Sequence, residues 1–401
     1  MFKIINKNIK YLVGNSTISQ YIFKPFEKIA CDFLNELSSQ ILKNKESRKY
    51  TDLIALAYWC SKKNIDRIKK RNKKNIIRVG RGLVFHITPS NIPTNFFYSL
   101  VFGLMSGNSN IVKVPSNNFK QTKIICKEMN NVLKKKKYFS LRKSITVIKY
   151  PADDMNNITR EISEKCDIRI IWGGDETINF IRKFTIKPKA TDITFSDRSS
   201  LCLLNAKKIT QLNKKNIYKL AINFYNDTYL TDQNACSSPH IILWLGNSKN
   251  TSARKKFWDQ VYKIALKKYT LPDKAPIEKY DKFCKELINN KKFSVNTTFS
   301  PYLSKIKLEK LDYNLSNLRG KYGYFYEYYL DDLNEIKKFI NAKFQTLTYF
   351  GFNKKFFNNF FLNNNLTGID RVVPVGESLN IELQWDGYDI ISSLTRIVSI
   401  K

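Results

Sequence analysis

Short apolar strands alternate with helices through the middle of this chain, and this alternation constrains the fold more than any other feature of the sequence. A strand, a helix and a second strand in succession form a crossover, so the two strands run parallel. The alternation therefore predicts an α/β fold made of βαβ units, the architecture of nucleotide-binding sheets. The predicted strands are 110–114, 145–150, 168–172, 190–195 and 201–204, and the predicted helices are 95–106, 119–134, 155–165 and 176–183.

Two other patterns precede the alternating region. Apolar residues in 26–41 recur at intervals of three and four, which predicts one face of a helix, and a shorter helix is predicted over 52–62. Residues 76–89 alternate apolar and polar side chains and predict a β-hairpin or one long strand, interrupted by Gly80 and Gly82.

At 401 residues the chain is long enough for two domains. We predict a first domain over 1–204, a second α/β domain over 205–374, and a C-terminal segment over 375–401 that packs back. The second domain includes an amphipathic helix at 253–268 and an Asn- and Tyr-rich stretch that local patterns do not resolve. No linker rich in Pro, Gly or Ser separates the domains, so we expect them to pack closely.

Lysine and arginine number 69 against 34 aspartates and glutamates, a formal net charge of +35. Lysine is abundant together with Asn, Ile, Phe and Tyr, which A/T-rich codons encode, so genome composition is one explanation. The densest runs, 62–74 and 134–137, would otherwise attract phosphates, an anionic membrane face or an acidic protein. Solvated helix faces are the simpler interpretation of both runs. Neither run carries the interleaved aromatics of a platform for single-stranded nucleic acid, so no specific nucleic-acid partner is predicted.

Composition also excludes several classes of protein. A hydrophobic fraction of 43% with 13% aromatic residues is too high for a disordered polycation. No apolar stretch reaches the roughly 18 residues of a membrane span, and the N-terminus has no apolar signal core. We therefore expect no transmembrane segment and a cytoplasmic location. Seven scattered cysteines and two histidines indicate reduced thiols and no metal site.

One cysteine differs from the other six, which lie in helical or strand patterns and resemble buried small hydrophobic residues. Cys236 lies in the polar segment Asp232-Gln-Asn-Ala-Cys-Ser-Ser-Pro-His240, just before the apolar strand 241–245. Backbone amides in such a loop can stabilise a thiolate and an oxyanion, which favours a nucleophile. A structural cysteine is the alternative at this position.

Motifs in register along the chain resemble one enzyme family. Residues Gly82-Leu-Val-Phe-His-Ile-Thr-Pro-Ser-Asn-Ile-Pro93 and Gly103-Leu-Met-Ser-Gly-Asn-Ser-Asn-Ile-Val-Lys-Val-Pro-Ser116 resemble the aldehyde dehydrogenase superfamily. The segment around Cys236, together with Arg371-Val-Val-Pro-Val-Gly376 and Trp385-Asp-Gly-Tyr388, is similar to the LuxC-type acyl-CoA reductases, fatty-acid reductases of that superfamily.

The resemblance implies a fold and two catalytic residues. The fold would be aldehyde-dehydrogenase-like, with a Rossmann-like cofactor domain in 1–204 packed on a second α/β catalytic domain that carries Cys236. Cys236 matches the nucleophile that takes the acyl group, and Asn91 matches the amide that helps to form the oxyanion hole. Pro89 and Pro93 would stiffen the turn around Asn91, for which a plain Asx turn is the alternative.

Cofactor binding is implied at two places along the chain. Lys113 matches the lysine that meets the adenosine ribose, and with Ser116 nearby it would also take a 2′-phosphate, which favours NADPH. A solvated lysine is the alternative. Gly173 and Gly174 match the strand-to-helix turn along the pyrophosphate, where small residues let the backbone approach. Pro89 belongs to the same cofactor-binding set.

Three other residues have competing interpretations. Asp175 stands where the family commonly has a serine, and its carboxylate would repel a pyrophosphate unless it points away or the match shifts by one residue. His240, four residues after Cys236, would lower the pKa of the thiol or donate a proton, or it simply begins a strand. His86, in a strand among apolar neighbours, is predicted to be structural.

The activity implied by the resemblance is NADPH-dependent reduction of a fatty acyl thioester, from acyl-CoA or an acyl-protein, to an aldehyde through an acyl-enzyme on Cys236. An NAD(P)-dependent aldehyde dehydrogenase in the oxidative direction and a non-catalytic basic scaffold are the alternatives. An intact set of Cys236, Asn91 and Lys113 speaks against the scaffold. Family relatives receive the acyl group from an acyl-protein synthetase, so such a partner or an acyl carrier is implied, and we expect a homo-oligomer.

The fate of the acyl-enzyme depends on a general base. Hydrolytic aldehyde dehydrogenases place a glutamate before the nucleophile to activate water. Here Thr194 stands near that place, and no glutamate occurs between Glu176 and Cys236. We therefore predict slow hydrolysis of the Cys236 thioester, with reduction or thiol exchange as the fast routes. Asp197 as a substitute base is the alternative.

Overall fold

The computed structural model of the protein describes residues 2–4, 6–72, 76–151, 153–246, 251–289, 299–311 and 315–400. The chain forms two compact units. The first consists of Met1–Ser196 with Glu382–Lys401, and the second of Asp197–Ile381.

The helices and strands predicted between residues 95 and 204 are confirmed to within one or two residues at each end. The strands are β1 (Phe2–Lys3), β2 (Lys10–Val13), β3 (Thr17–Ile18), β4 (Arg78–Gly80), β5 (Leu83–Ile87), β6 (Ser109–Lys113), β7 (Ile145–Lys149), β8 (Ile168–Gly173), β9 (Thr191–Ser196), β10 (Ser199–Asn205), β11 (Pro239–Leu245), β12 (Ser304–Lys307), β13 (Tyr324–Leu330), β14 (Phe344–Phe350), β15 (Arg371–Pro374), β16 (Gln384–Trp385), β17 (Tyr388–Asp389) and β18 (Thr395–Ile397). The α-helices are α1 (Lys28–Lys43), α2 (Thr51–Trp59), α3 (Lys62–Arg71), α4 (Asn95–Met105), α5 (Lys120–Leu133), α6 (Phe139–Lys143), α7 (Met155–Lys165), α8 (Asp175–Arg182), α9 (Ala206–Thr210), α10 (Lys214–Thr228), α11 (Thr251–Lys268), α12 (Ala275–Asn289), α13 (Lys354–Leu362) and α14 (Ile390–Ser393).

The first unit contains a six-stranded sheet in the order β2-β7-β6-β5-β8-β9. Strands β5 to β9 are parallel, and β2 joins antiparallel at the edge beside β7. Counted from β5, the parallel strands lie in the order 3-2-1-4-5, which is the order of doubly wound nucleotide-binding folds. Every residue of β5 is buried, as expected for a central parallel strand that is covered on both faces. The predicted α/β class is confirmed.

The prediction of a hairpin or a long strand over 76–89 is wrong. β4 pairs antiparallel with β18 near the C-terminus, whereas β5 pairs with β6 and β8. Gly82 separates the two strands with a φ of +138°, a backbone conformation that glycine adopts readily and other residues do not. The two halves of the alternating pattern therefore belong to different sheets.

The second unit contains a six-stranded sheet in the order β12-β13-β11-β10-β14-β15, with all neighbouring strands parallel. Alternate residues of β10 enter separate apolar clusters on the two faces, Leu201 and Leu203 in one and Cys202 and Leu204 in the other. Because β10 pairs with β11 and β14, residues 199–205 belong to the second unit, although the prediction assigns nearly all of them to the first domain.

The two basic runs fold in different ways. α3 buries two isoleucines and turns its lysines to solvent, which agrees with a solvated helix face, while residues 73–74 of that run lie outside the described residues. In the second run, Lys135 and Lys137 bind the carboxylate of Glu36. Partial burial opposes ionisation, but hydrogen bonds from both lysines and Tyr138 lower the pKa of Glu36 to about 2. Part of the second run is therefore engaged within the fold.

Candidate functional site

Cys236 lies in the loop before β11, in the second unit. Asp197 lies just before β10, and Arg319 lies before β13. These three strands are neighbours in the order β13-β11-β10. Because they are parallel, their amino-terminal ends meet at one edge of the sheet. The residues that precede them therefore converge around the Cys236 thiol.

The Cys236 side chain is half-buried, and its Sγ lies 3.6 Å from Oδ1 of Asp197. The same Oδ1 accepts a hydrogen bond from Nη1 of Arg319 at 2.5 Å. The carbonyl oxygen of Cys236 accepts a hydrogen bond from Oγ of Ser200 at 2.6 Å, which ties the loop to β10. The thiol therefore contacts a carboxylate whose charge is balanced by a guanidinium.

Gln233 is one of the residues that fix the Cys236 loop, residues 232–240, whose last two residues begin β11. Asp232 and Gln233 have φ angles of +51° and +62°, in the left-handed region that residues with a side chain rarely adopt. Nε2 of Gln233 donates to the carbonyls of Pro239 and Tyr324, and its Oε1 accepts two backbone N–H groups at the start of β13. This buried amide has all its partners, and such a network offsets the backbone strain and sets the path of the loop.

His240 is buried at the second position of β11. Its Nδ1 accepts a hydrogen bond from the backbone N–H of Gly320 at 3.2 Å, so the neutral ring carries its proton on Nε2. Burial, with the positive charges of Arg319 and Lys282, lowers the pKa of His240 to about 3. A neutral ring brings no positive charge to a thiolate, which weighs against the first role considered for His240. Proton donation from Nε2 stays a prediction.

The motif that begins at Arg371 is linked to the Cys236 loop through Asp227. The carboxylate of Asp227 accepts backbone hydrogen bonds from Gly376 at 2.6 Å and Ser378 at 2.9 Å. Its backbone carbonyl accepts a hydrogen bond from Oγ of Ser238 at 2.7 Å. Burial raises the pKa of Asp227 to about 6 although these hydrogen bonds oppose the shift. The motif therefore supports the loop through a buried carboxylate.

Most of the predicted cofactor residues lie at the carboxyl-terminal edge of the sheet in the first unit. Pro89 follows β5, Lys113 ends β6 and Gly173 ends β8, with Gly174 next in the chain. β6, β5 and β8 are neighbours, and Ile87 of β5 pairs with Lys113. Doubly wound sheets bind nucleotides at this edge, where the strand order reverses. The structure therefore brings these four residues to the edge at which a dinucleotide would bind.

Lys113 is half-buried, not a fully solvated lysine. Its Nζ lies 5.5 Å from the centre of the Tyr150 ring, and burial lowers the pKa of Lys113. Ser116 and Asn91 are exposed in the loops that follow β6 and β5. A partly desolvated amine gains more from a phosphate than a solvated one does, so Lys113 suits a phosphorylated ligand.

The turn between β8 and α8 has features for and against an anion. Gly174 is the N-cap of α8, and backbone N–H groups at a helix N-terminus favour negative charge. A Cβ built on Gly174 would meet no atom within 4 Å, so there is open space beside the turn. Asp175 and Glu176 are exposed in the first helical turn and oppose an anion. Lys113 and the glycine turn fit a dinucleotide. Asp175 does not, because its carboxylate would repel the pyrophosphate.

Trp172, just before the glycine turn, anchors an aromatic and polar network. Its ring stacks on Phe195 of β9 with 3.9 Å between centroids, and Phe195 meets Tyr388 of the Trp-Asp-Gly-Tyr motif edge-on at 5.6 Å. Nε1 of Trp172 donates to Oγ of Ser99 at 3.0 Å, and that hydroxyl lies 2.8 Å from Nδ1 of His86. Both ring nitrogens of His86 are hydrogen-bonded and the ring is buried, which agrees with the structural role predicted for it.

All seven cysteines lie in the part of the chain that the structure describes, and none of them forms a disulfide there. Four of the six others are buried, whereas Cys31 and Cys284 are half-buried, which differs from the prediction that all six are buried. Burial raises the pKa of Cys126 to about 12, and a buried thiol of this kind is inert at neutral pH. Among the described residues, no group of three or more His, Cys, Asp or Glu could hold a metal ion. In the same part of the chain, no helix has both the length and the apolar character that a membrane crossing requires.

Arg319 and Gln233 are site residues that were not predicted. Gln233 lies within the motif around Cys236, but three of its four hydrogen bonds are to Gly323 and Tyr324, where β13 begins, and local patterns do not reveal this Tyr-rich strand. Arg319 also depends on the position of β13. The signal that would have identified both is the pairing of β13 with β11, which joins segments far apart in sequence.

The sequence matches the family model described as acyl-CoA reductase (LuxC) over residues 33–277. Similar curated proteins are the long-chain acyl-protein thioester reductases of Aliivibrio fischeri, 24% identical over 168 residues, and of Photorhabdus laumondii, 23% identical over 167 residues. Each alignment covers 42% of this chain, and they cover 33% and 32% of the two relatives. The chain thus spans about a third of the length of the curated relatives that it matches.

Solved structures with a similar fold are aldehyde dehydrogenases. The NAD-dependent benzaldehyde dehydrogenase of Corynebacterium glutamicum has a TM-score of 0.64 at 12% identity, covering 93% of this chain and 85% of that one. The lactaldehyde dehydrogenase of Escherichia coli has a TM-score of 0.62 at 10% identity, covering 92% and 86%. These likenesses establish an aldehyde-dehydrogenase-like fold. Since the family match covers more than half of the chain, the chain belongs to the LuxC acyl-CoA reductase family.

Proposed function

We propose that the protein reduces a fatty acyl thioester, from acyl-CoA or an acyl-protein, to an aldehyde with NADPH. The observation that carries the proposal is the position of Cys236. Its half-buried thiol lies 3.6 Å from the Asp197 carboxylate, where the strands of the second unit begin. Membership of the LuxC family and the names of the two relatives support an acyl thioester as substrate.

In the proposed reaction the Cys236 thiol loses its proton and its sulfur attacks the thioester carbonyl. The thiol of the donor leaves with a proton, and the acyl group stays on Sγ as a new thioester. A reduced nicotinamide cofactor supplies a hydride when it is bound. When that hydride is on the acyl carbon, the bond from the carbon to Sγ breaks with its electron pair on sulfur, the aldehyde leaves, and a proton from solvent restores the Cys236 thiol.

The residues proposed to hold the cofactor are those at the carboxyl edge in the first unit. Gly173, Gly174 and Pro89 would lie along the cofactor, with open space beside Gly174, and Lys113 with Ser116 would bind the ribose and a 2′-phosphate. The half-buried amine of Lys113 supports the preference for NADPH. The role of Asn91 as an oxyanion donor rests on its motif and its exposed side chain and stays a prediction.

The proposal includes the direction of the reaction, which is reduction, and the partner that supplies the acyl group. Thr194 stands near the place of the water-activating glutamate, which supports reduction over the oxidative alternative. The positive charge of the chain suits an acidic acyl carrier or an acyl-protein synthetase as the source of the acyl group. A homo-oligomeric assembly also stays a prediction.

The direct test is to measure aldehyde formation by the purified protein with long-chain acyl-CoA and NADPH, and in parallel with an acylated carrier protein. We expect NADPH-dependent aldehyde, and none from the Cys236→Ala variant. Aldehyde formation from neither donor would contradict the proposed function.

A further inference from the structure

We propose that Asp197 accepts the proton of the Cys236 thiol during acyl transfer, and that Arg319 positions Asp197 for this step. The inference rests on the proposed function, because it assigns a role within the acylation of Cys236. It concerns two residues outside the predicted catalytic set, one of which was considered only as a base for water.

The first support is the shared oxygen. Oδ1 of Asp197 lies 3.6 Å from Sγ of Cys236, a distance suited to an S–H···O hydrogen bond, and it accepts Nη1 of Arg319 at 2.5 Å. Because both contacts share Oδ1, the distance from Nη1 of Arg319 to Sγ of Cys236 cannot exceed the sum of the two distances. Side-chain exposures of 55% for Asp197 and 32% for Arg319 leave this place open to an acyl donor.

The second support is that hydrogen bonds fix the backbone next to each of the two residues, beginning with Asp197. After Asp197, the side chain of Arg198 donates to the carbonyl of Phe344 at 2.6 Å and pairs with Asp370, and the N–H of Ser199 donates to the carbonyl of Lys343 at 2.8 Å. These contacts fix the entry of β10 and hold an exposed carboxylate at a defined place.

Arg319 stands on an equally ordered segment. The N–H of the next residue, Gly320, donates to the buried His240 ring. A Cβ at Gly320 would come within 1.8 Å of the Tyr324 carbonyl oxygen, so only glycine fits this close approach. The backbone next to Arg319 is therefore fixed against β11, and the hydrogen bond to Asp197 places the guanidinium near the thiol.

The proposed step balances in atoms and charge. The thiol proton moves to the Asp197 carboxylate as Sγ bonds to the acyl carbon. The bond between that carbon and the donor sulfur then breaks, and Asp197 returns the proton to the departing thiolate. Arg319 stays charged throughout and offsets the repulsion between the carboxylate and the developing negative charge on sulfur.

The experiment compares wild type with Asp197→Asn and Arg319→Gln, and uses Asp273→Asn as the matched control, an exposed carboxylate in the same unit. Two rates are measured for each protein: transfer of label from acyl-CoA to Cys236 without NADPH, and alkylation of Cys236 by iodoacetamide across pH, read by mass spectrometry. Alkylation reports the thiolate alone, so it separates the charge near sulfur from proton transfer.

We expect Asp197→Asn to slow acyl transfer by at least about tenfold, since a positioned base contributes roughly 10²- to 10⁴-fold. The same variant should alkylate faster at neutral pH, because the negative charge beside the thiolate is gone. Arg319→Gln should alkylate more slowly, and Asp273→Asn should match wild type in both assays.

Three outcomes would overturn the inference. The first is an unchanged rate of acyl transfer in Asp197→Asn. The second is a parallel fall of acyl transfer and alkylation in that variant, which would indicate a structural role. The third is a change confined to the release of free fatty acid, which would indicate that Asp197 activates water instead. Failure of wild-type protein to take up label would instead contradict the proposed function, so the two failures are distinguishable.

Discussion

The two six-stranded sheets differ in where their candidate residues lie along the strands, at the carboxyl-terminal ends in the first unit and at the amino-terminal ends in the second. In the first unit, Lys113 and Gly173 end their strands, and backbone N–H groups at the start of α8 face the same edge. In the second unit, Asp197, Cys236 and Arg319 precede their strands and present charged and nucleophilic side chains. The carboxyl edge thus offers room and backbone donors for phosphates, and the amino edge offers side-chain chemistry. The comparison thus agrees with the proposed division of the chain into a cofactor-binding unit and a unit that carries the candidate nucleophile.

Each unit also contains an ion pair whose arginine is buried or nearly buried. Arg169 is bound by Asp192 in the first unit, and Arg254 is bound by Glu327 in the second. Glu327 additionally accepts the indole N–H of Trp258 at 2.7 Å. Each carboxylate balances a cation that is buried or nearly so, which makes its removal a sharp probe of that unit.

The largest effect on folding is expected from Glu327→Ala and Asp192→Ala. Removing one partner of a buried pair leaves an uncompensated charge, which costs about 3–5 kcal/mol of unfolding free energy. Urea titration followed by circular dichroism measures this for the full chain, with Asp273→Asn as a control near zero. A cost below about 1 kcal/mol in either variant would show that the ion pair of that unit does not behave as a buried pair.

Acid should destabilise both units through their histidines. Burial lowers the pKa of His86 to about 4 and, with Arg319 and Lys282, that of His240 to about 3. Because an unfolded histidine titrates near 6.5, the unfolded chain binds more protons below that pH, so stability is lost as the pH falls below about 6.5.

We expect each histidine to account for about 3 kcal/mol of the loss between pH 7 and pH 4. The measurement is the unfolding free energy over that range for wild type, His86→Gln and His240→Gln. Each variant should show a shallower dependence on pH. An unchanged slope in His240→Gln would mean that its ring is not buried in the neutral form.

Lys113→Ala should reduce the preference for NADPH at the carboxyl edge. Loss of a charge-assisted contact to the 2′-phosphate costs about 1.5–3 kcal/mol, so the NADPH to NADH ratio of kcat/KM should fall by about ten- to a hundredfold. Lys123→Ala, an exposed lysine on α5, is the control. Equal use of both cofactors by wild type, or an unchanged ratio in the variant, would refute the assignment.

The smallest effect is expected from Asp175→Asn. Removing a negative charge from the first turn of α8 should tighten cofactor binding about two- to fivefold at low salt, and the gain should shrink as salt rises. Fluorescence titration at two ionic strengths measures it. No change at low salt would place Asp175 away from the pyrophosphate.

Local sequence patterns predicted β6, β7, β8 and β9 of the first sheet closely, because each βαβ unit is formed by residues that are adjacent in sequence. The strands of 110–114 and 168–172 were found because apolar runs are bounded by turns and helices. The strand over 76–89 was mispredicted because β4 pairs with β18, more than 300 residues along the chain, and no local pattern encodes that pairing.

The site was predicted less completely for the same reason. Cys236 was identifiable from its loop and from the family motifs. Its contact with Asp197 and the charge of Arg319 arise only when β10, β11 and β13 align in one sheet. Motifs thus indicate the candidate nucleophile, whereas sheet pairing determines which residues surround it.

The most direct test of the central claim is to load Cys236 with labelled long-chain acyl-CoA, omit NADPH and follow the label over time. We predict a thioester that persists on the protein, is absent from Cys236→Ala, and is discharged as aldehyde when NADPH is added. Rapid release of the label as free fatty acid would contradict the assignment as a thioester reductase.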